Sequence, residues 1–181
     1  MAEPSFLDPE KVLAQIELNR NMIACDFGSG AGGWVIPLAK RLRKGKVYAL
    51  DIQEEMLSAL KGRANLERVF NIEMILCDLE RPKGLKLKDN SIDLVLMTNL
   101  LFQIENKKQI FKEAKRILRG GGEILVVDWM PPIHHPEKTS FGPKKRVSPE
   151  EVKKMAKEMG LKLKKEFVAG DYHYGLVFTK P

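Results

Sequence analysis

Apolar runs and amphipathic stretches alternate along the chain. The runs "NMIACDF", "KVYALDI", "IEMILCDL", "SIDLVLMTNLLF" and "GEILVVDWM" are dense in Val, Ile and Leu, as strands buried on both faces are. Between them, "GWVIPLAKRLRKG", "EEMLSALKGRANLERVF" and "NKKQIFKEAKRILRG" carry helical spacing. Pro37 must lie in the first turn of its helix or kink it. The opening "DPEKVLAQIEL" predicts a short helix, with Asp8 as N-cap and Pro9 at the first helical position. This alternation predicts an α/β fold, a mostly parallel sheet with helices on both faces, in one domain spanning residues 1–181.

The pattern changes after the fifth run. "PPIHHPEKTSFGPKK" is proline-rich and aperiodic, so residues 131–147 are expected to form a loop on the substrate side. "SPEEVKKMAKEMG" spells out a helix start: Ser148 as cap, Pro149 first, Glu151 closing a capping box. Its apolar positions Val152, Met155, Ala156 and Met159 leave Lys153, Lys154 and Lys157 facing water. The ending "LKLKKEFVAGDYHYGLVFTK" predicts two antiparallel strands joined near Gly170 and Asp171 at one sheet edge.

With 181 residues, 44% of them hydrophobic, the chain can build one sizeable core. No apolar run approaches the roughly 20 residues that span a bilayer, and "MAEPSFLDPEK" lacks a signal-peptide layout, so a cytoplasmic location is expected. Cys25 and Cys77 sit in strand-like runs without metal-ligand spacing and read as buried free thiols; no metal is expected. The net charge of +7 is concentrated: Lys138 to Lys165 holds ten Lys/Arg against three Glu, which equals the whole excess. Such a segment either attracts a polyanion or is a solvated face.

The stretch "CDFGSGAGGW" puts four glycines directly after a strand and before a helix. That arrangement brings backbone N–H groups and a helix N-terminus close to a ligand. Gly28, Gly30 and Gly33 with Asp51 also satisfy the dinucleotide pattern G-x-G-x-x-G. Three features favour a different nucleotide ligand. Asp26 ends the first strand, where it would repel a pyrophosphate and attract an ammonium. Asp78 ends the third strand, able to accept from an adenine amino group. The chain also has one nucleotide-binding half and no hydride-transfer domain or Tyr-x-x-x-Lys pair.

The motifs "ACDFGSGAGG", "VYALDIQEEML", "CDLE", "LKDNSIDLVLMTNLLFQIEN" and "AKRILRGGGEILVVDW", in this order over residues 20 to 130, resemble the class I S-adenosylmethionine-dependent methyltransferases. The likeness is greatest to the small-molecule branch that includes the ubiquinone/menaquinone-biosynthesis enzymes. The resemblance implies a Rossmann-like seven-stranded sheet of order 3-2-1-4-5-7-6 with an antiparallel seventh strand, and S-adenosylmethionine as cofactor. It implies that Asp51 binds the ribose hydroxyls, with Ile52 against adenine. Asp78 would meet the adenine amino group, with Leu79 beside it. Gly28, Gly30 and Gly32 would line the methionine portion, with Asp26 near its ammonium. The stretch Asn99, Leu100 to Phe102 would lie near the transferring methyl. Asp93 reads as structural.

Methyl transfer from an activated donor needs positioning more than a base. If a base exists, the candidates are Asp128, His134, His135 and His173. Trp129 could wall an acceptor site; Tyr172 and Tyr174, flanking His173, could stack a base or close the sheet edge. "MTNLLF" departs from the Asn/Asp-Pro-Pro-Tyr/Phe pattern of amino-group nucleic-acid methyltransferases, and the cysteines match no cytosine-C5 pair. The expected acceptor is a small molecule, in preference to an RNA or protein that would use residues 138–165. A non-catalytic cofactor-binding subunit remains as an alternative. With little beyond a catalytic core, the acceptor site is either open or completed by a homo-oligomer or partner subunit.

Overall fold

A computed structural model describes residues 7–82, 84–131 and 145–181. His134, His135, Lys138 and Lys144 fall outside them. The elements follow the hydrophobic pattern closely. The first helix, α1 (Pro9–Leu13), is capped by the Asp8 carboxylate, which accepts from the backbone of Glu10 and Lys11. It is shorter than the pattern suggested, ending before Gln15. Then come β1 (Ile23–Phe27), α2 (Val35–Arg41), β2 (Lys46–Asp51), α3 (Glu54–Leu66) and β3 (Ile72–Leu76). Pro37 is the third residue of α2, within the first turn, where a missing N–H costs nothing. The second half is β4 (Ile92–Thr98), α4 (Lys107–Ile117), β5 (Leu118–Trp129), α5 (Pro149–Glu158), β6 (Lys162–Val168) and β7 (His173–Thr179). The Ser148–Glu151 capping box opens α5 as read from the sequence.

The strands form one sheet of order β3-β2-β1-β4-β5-β7-β6. Six run parallel; β7 is antiparallel to both of its neighbours, β5 and β6. Each face has its own core. Phe27, Val95, Ile110, Phe111, Val152, Tyr174 and Phe178 bury one face under α4 and α5. Leu13, Leu38, Ala49, Leu60 and Val177 bury the other under α1, α2 and α3. Burying a side chain such as Phe111 is worth about 1.5–3 kcal/mol.

Strand order reverses between β1 and β4, and the carboxyl ends of these strands open a crevice there, the usual ligand position in an open α/β sheet. Asp93 is structural, accepting from Ile23 N at 2.7 Å and pairing with Arg119. Tyr174 donates its hydroxyl to the Val147 carbonyl at 2.9 Å, which fastens the start of α5 to β7. Among the described residues, no helix is long and apolar enough to cross a membrane.

Candidate active site

The glycine loop is organised from the backbone upward. Gly28 N and Ser29 N both donate to the Leu50 carbonyl, at 2.9 and 2.8 Å, so the loop turns across the end of β2. Gly30 N donates to Asp51 Oδ2 at 2.8 Å, while Asp51 Oδ1 accepts from Gln53 N at 3.0 Å. Asp51 thus ties the loop to the β2 terminus. Gly30 has φ +52° and open space where a side chain would stand, so the backbone itself lines the cavity.

A cavity of about 370 Å³ lies at the ends of β1 to β4, lined by Gly28, Gly30, Asp51, Ile52, Asp78, Leu79 and Leu100. Seven of the ten residues expected to hold the cofactor therefore share one cavity. Asp78 Oδ1 accepts from Glu80 N at 2.9 Å. Ile52 is 64% exposed, an apolar surface of the kind a flat base covers. The other three do not line the cavity. Gly32 (φ +90°) has Leu60 Cδ1 2.3 Å from where a Cβ would be, so its bareness serves α3 packing. Asn99 holds φ +50° at the end of β4 with its Oδ1 buried and unpaired. Asp26 is fully buried, with neither carboxylate oxygen hydrogen-bonded.

Gln53, Met56, Cys77, Glu80, Gln103 and Ile104 complete the lining; all six lie within the motifs quoted above, but none was expected as a cofactor residue. Glu80 is the most informative of them. Its Oε1 accepts from Glu105 N and Asn106 N, at 3.0 and 2.6 Å, joining the loop after β3 to the entry of α4. Cys25 and Cys77 are free, but only Cys25 is buried; Cys77 is half-buried on the cavity wall, a correction to the expectation for both. Burial first, then Asp78 and Asp51, push the Cys77 thiol up to about 11, so it stays protonated near neutrality.

Of the base candidates, Asp128 is committed to the backbone. It is buried, accepting from Leu101 N and Trp129 N at 2.8 Å each, which clamps the segment after β4 against β5. Burial raises its pKa to about 6 against the lowering effect of those N–H donors. His173 is also buried, its ring against that of Trp129 with centroids 4.3 Å apart and planes tilted by 42°, and burial followed by Arg146 lowers its pKa to about 4. Neither lines the cavity. His134 and His135 lie outside the described residues.

Residues 18–172 match the family model for a methyltransferase domain. The chain belongs to that family. Demethylmenaquinone methyltransferase of Lactiplantibacillus plantarum is 29% identical over 124 residues, 68% of this chain and 52% of the relative. Malonyl-[acyl-carrier protein] O-methyltransferase of a Marinomonas species is 30% identical over 116 residues, 64% of this chain and 41% of the relative. The chain thus spans about half or less of these curated relatives. The crystal structure of a SAM dependent methyltransferase from Aquifex aeolicus superposes with TM-score 0.79 at 26% identity, covering 97% of this chain and 90% of that one.

The family implies S-adenosylmethionine as cofactor, and the residues present fit it. Gly30 offers bare backbone to the cavity, and the Asp26 carboxylate, the Ser29 hydroxyl and Asn99 Oδ1 around the loop are buried without partners. Such groups are costly unless something polar answers them.

Asp26 also predicts a pH dependence. Burial, then Asp51, raise its pKa to about 8, so the folded chain keeps a proton that the unfolded chain releases in the ordinary carboxylate range. Its contribution to stability is full below the unfolded pKa and is lost as pH rises through about 8, by at most about 1.4 kcal/mol per pH unit. Urea melts of cofactor-free protein from about pH 6 to about pH 8 should show stability falling relative to Asp26→Asn. Parallel curves for the two proteins would mean that Asp26 is solvated.

Proposed function

We propose that this chain transfers the methyl group of S-adenosylmethionine to a small organic acceptor received in the groove between α4 and α5. The observation that carries this reading is a second cavity, of about 610 Å³, which shares Gln103 and Ile104 with the cofactor cavity. Its size suits one small molecule. The acceptor's reactive atom would reach the cofactor where those two side chains form a common wall.

When bound, S-adenosylmethionine would supply a methyl carbon activated by its cationic sulfur, with S-adenosylhomocysteine as the leaving group. The chain's own residues then hold and orient. Asp51 and Asp78 would hold the nucleoside end, Gly28 and Gly30 would line the methionine portion, and Asp128 holds the Leu100–Leu101 segment firmly against β5. Positioning of this kind suffices for an activated donor.

The relatives are named for a menaquinone precursor and a malonyl-carrier acceptor, so kinship supports methylation more than one substrate. The basic segment supports an RNA or protein acceptor less than its charge suggests. Lys153 pairs with Glu166 and Glu150, Lys164 with Glu123, and Lys165 Nζ donates to Gln15. Incubating the protein with methyl-labelled S-adenosylmethionine and cell extract, then separating RNA, protein and small molecules, tests the reading. Label should enter the small-molecule fraction. Label in RNA or protein would overturn the acceptor class, and cofactor binding without label anywhere would favour a non-catalytic subunit.

A further inference from the structure

The α4–α5 groove has two chemical surfaces. Phe102, Ile104, Val147 and Met155 give it an apolar lining, and Ile104 also lines the cofactor cavity. Lys107, Lys108, Lys145, Arg146 and Lys154 bring five cations to it, against Glu105, Glu151 and Glu158.

The acids are largely spoken for. Glu151 Oε2 accepts from the backbone and hydroxyl of Ser148 in the capping box, and Glu158 pairs with Lys108 at 2.9 Å. Two of the cations are also anchored: Lys107 Nζ donates to the Ile104 carbonyl, and Arg146 donates to the Met130 carbonyl at 2.8 Å while lying over the Trp129 ring. Anchoring satisfies one or two of their N–H groups and leaves the positive charge in place, Lys107 half-buried at the entry of α4. Lys145 and Lys154 make no ion pair with any other described residue. Glu105 is the one acid of the three without a side-chain partner in the groove, and it opposes an anion there; five cations against three acids still leave the groove a net charge of +2.

We infer that the acceptor is an amphipathic small anion: an apolar body packed on Phe102, Ile104, Val147 and Met155, with a carboxylate or phosphate held by Lys145 and Lys154. This rests on the methyl-transfer reading for the word acceptor, and on the groove alone for the ligand chemistry. The anionic group enters at the solvent side, where both lysines are exposed, and the apolar body points its reactive atom toward the shared wall. A groove with cations at its mouth also raises the local concentration of anions and speeds their capture.

Phenyl phosphate, with benzyl alcohol as its neutral counterpart, tests the binding chemistry without catalysis. Titrated into the wild-type chain and followed by backbone amide shifts, phenyl phosphate should perturb Gln103–Lys108, Val147 and Lys154–Glu158, and benzyl alcohol should not. Charge reversal in Lys145→Glu/Lys154→Glu should weaken phenyl phosphate about tenfold or more, and added salt should weaken it in the wild type. Calorimetric affinity for S-adenosylhomocysteine should be unchanged in that variant, which separates a lost anion site from a misfolded chain. Phenyl phosphate that perturbs nothing along the groove, or binds the double variant equally well, overturns the inference and leaves methyl transfer standing.

The same variant then enters the labelled-extract experiment with the small molecules sorted by anion exchange beforehand. Label confined to the anionic pool, reduced in the double variant at limiting acceptor, supports the inference. Label in the neutral pool overturns it. Label confined to RNA or protein overturns the small-molecule reading and this inference with it, whatever phenyl phosphate does.

Discussion

Asp51→Ala should abolish calorimetric binding of S-adenosylhomocysteine, with a loss of about 100-fold or more. Two effects add. The carboxylate that would bind the ribose hydroxyls is gone, and so are the acceptors for Gly30 N and Gln53 N that hold the loop against β2. A charge-assisted hydrogen bond is worth about 1.5–3 kcal/mol, so losing two reaches the stated factor. Asp51→Asn separates the effects, since its amide oxygen still accepts from one backbone N–H. An intermediate affinity would show both at work. Unchanged affinity in the alanine variant would remove the ribose from this position.

Gly32→Ala should be the most destabilising single methyl in the glycine loop, at about 2–3 kcal/mol in a urea melt. The residue holds φ +90°, and the new Cβ would stand 2.3 Å from Leu60 Cδ1, with Ile36 Cδ1 at 3.5 Å. Both neighbours are buried, so neither can swing into water. Gly30→Ala, by contrast, meets nothing within 4 Å and should pay only the backbone strain of φ +52°, about 1 kcal/mol, while losing cofactor affinity. The two glycines are thereby told apart: one is bare for α3, the other for the ligand. Equal stability losses in the two variants would contradict that division.

Much of this was legible in the chain itself, for identifiable reasons. Continuous Val/Ile/Leu runs alternating with amphipathic stretches mark strands and helices, and strand-end acids mark the crevice, because one-dimensional patterns write these features. Asp51 and Asp78 reached the cavity since Asp51 is the last residue of β2 and Asp78 follows the end of β3, both at the carboxyl edge of the sheet. Asp26 and Gly32 belong to the same motif yet do not line the cavity: Asp26 is wholly buried, and the space beside Gly32 is filled by Leu60, which is 28 positions away. Asp128 illustrates the same limit from the opposite side. A carboxylate at the end of a strand reads as a base, but the backbone of Leu101 and Trp129 occupies it. Pairing of Lys164 with Glu123 and Lys153 with Glu166 was likewise invisible in the sequence, because the partners lie 41 and 13 positions apart and meet only through the fold.

The placement of lysines on β6 has a consequence for the protein's behaviour in concentrated solution. An outermost strand offers unpaired backbone groups to any passing chain, and added strands lead toward aggregates. Here Lys162, Lys164 and Lys165 stand exposed along that strand, and its register breaks between Leu163 and Lys165. Like charges on an incoming copy repel, and the irregularity spoils a straight template. The charge excess that first suggested a polyanion partner therefore also acts as a guard, keeping copies of this sheet from extending one another.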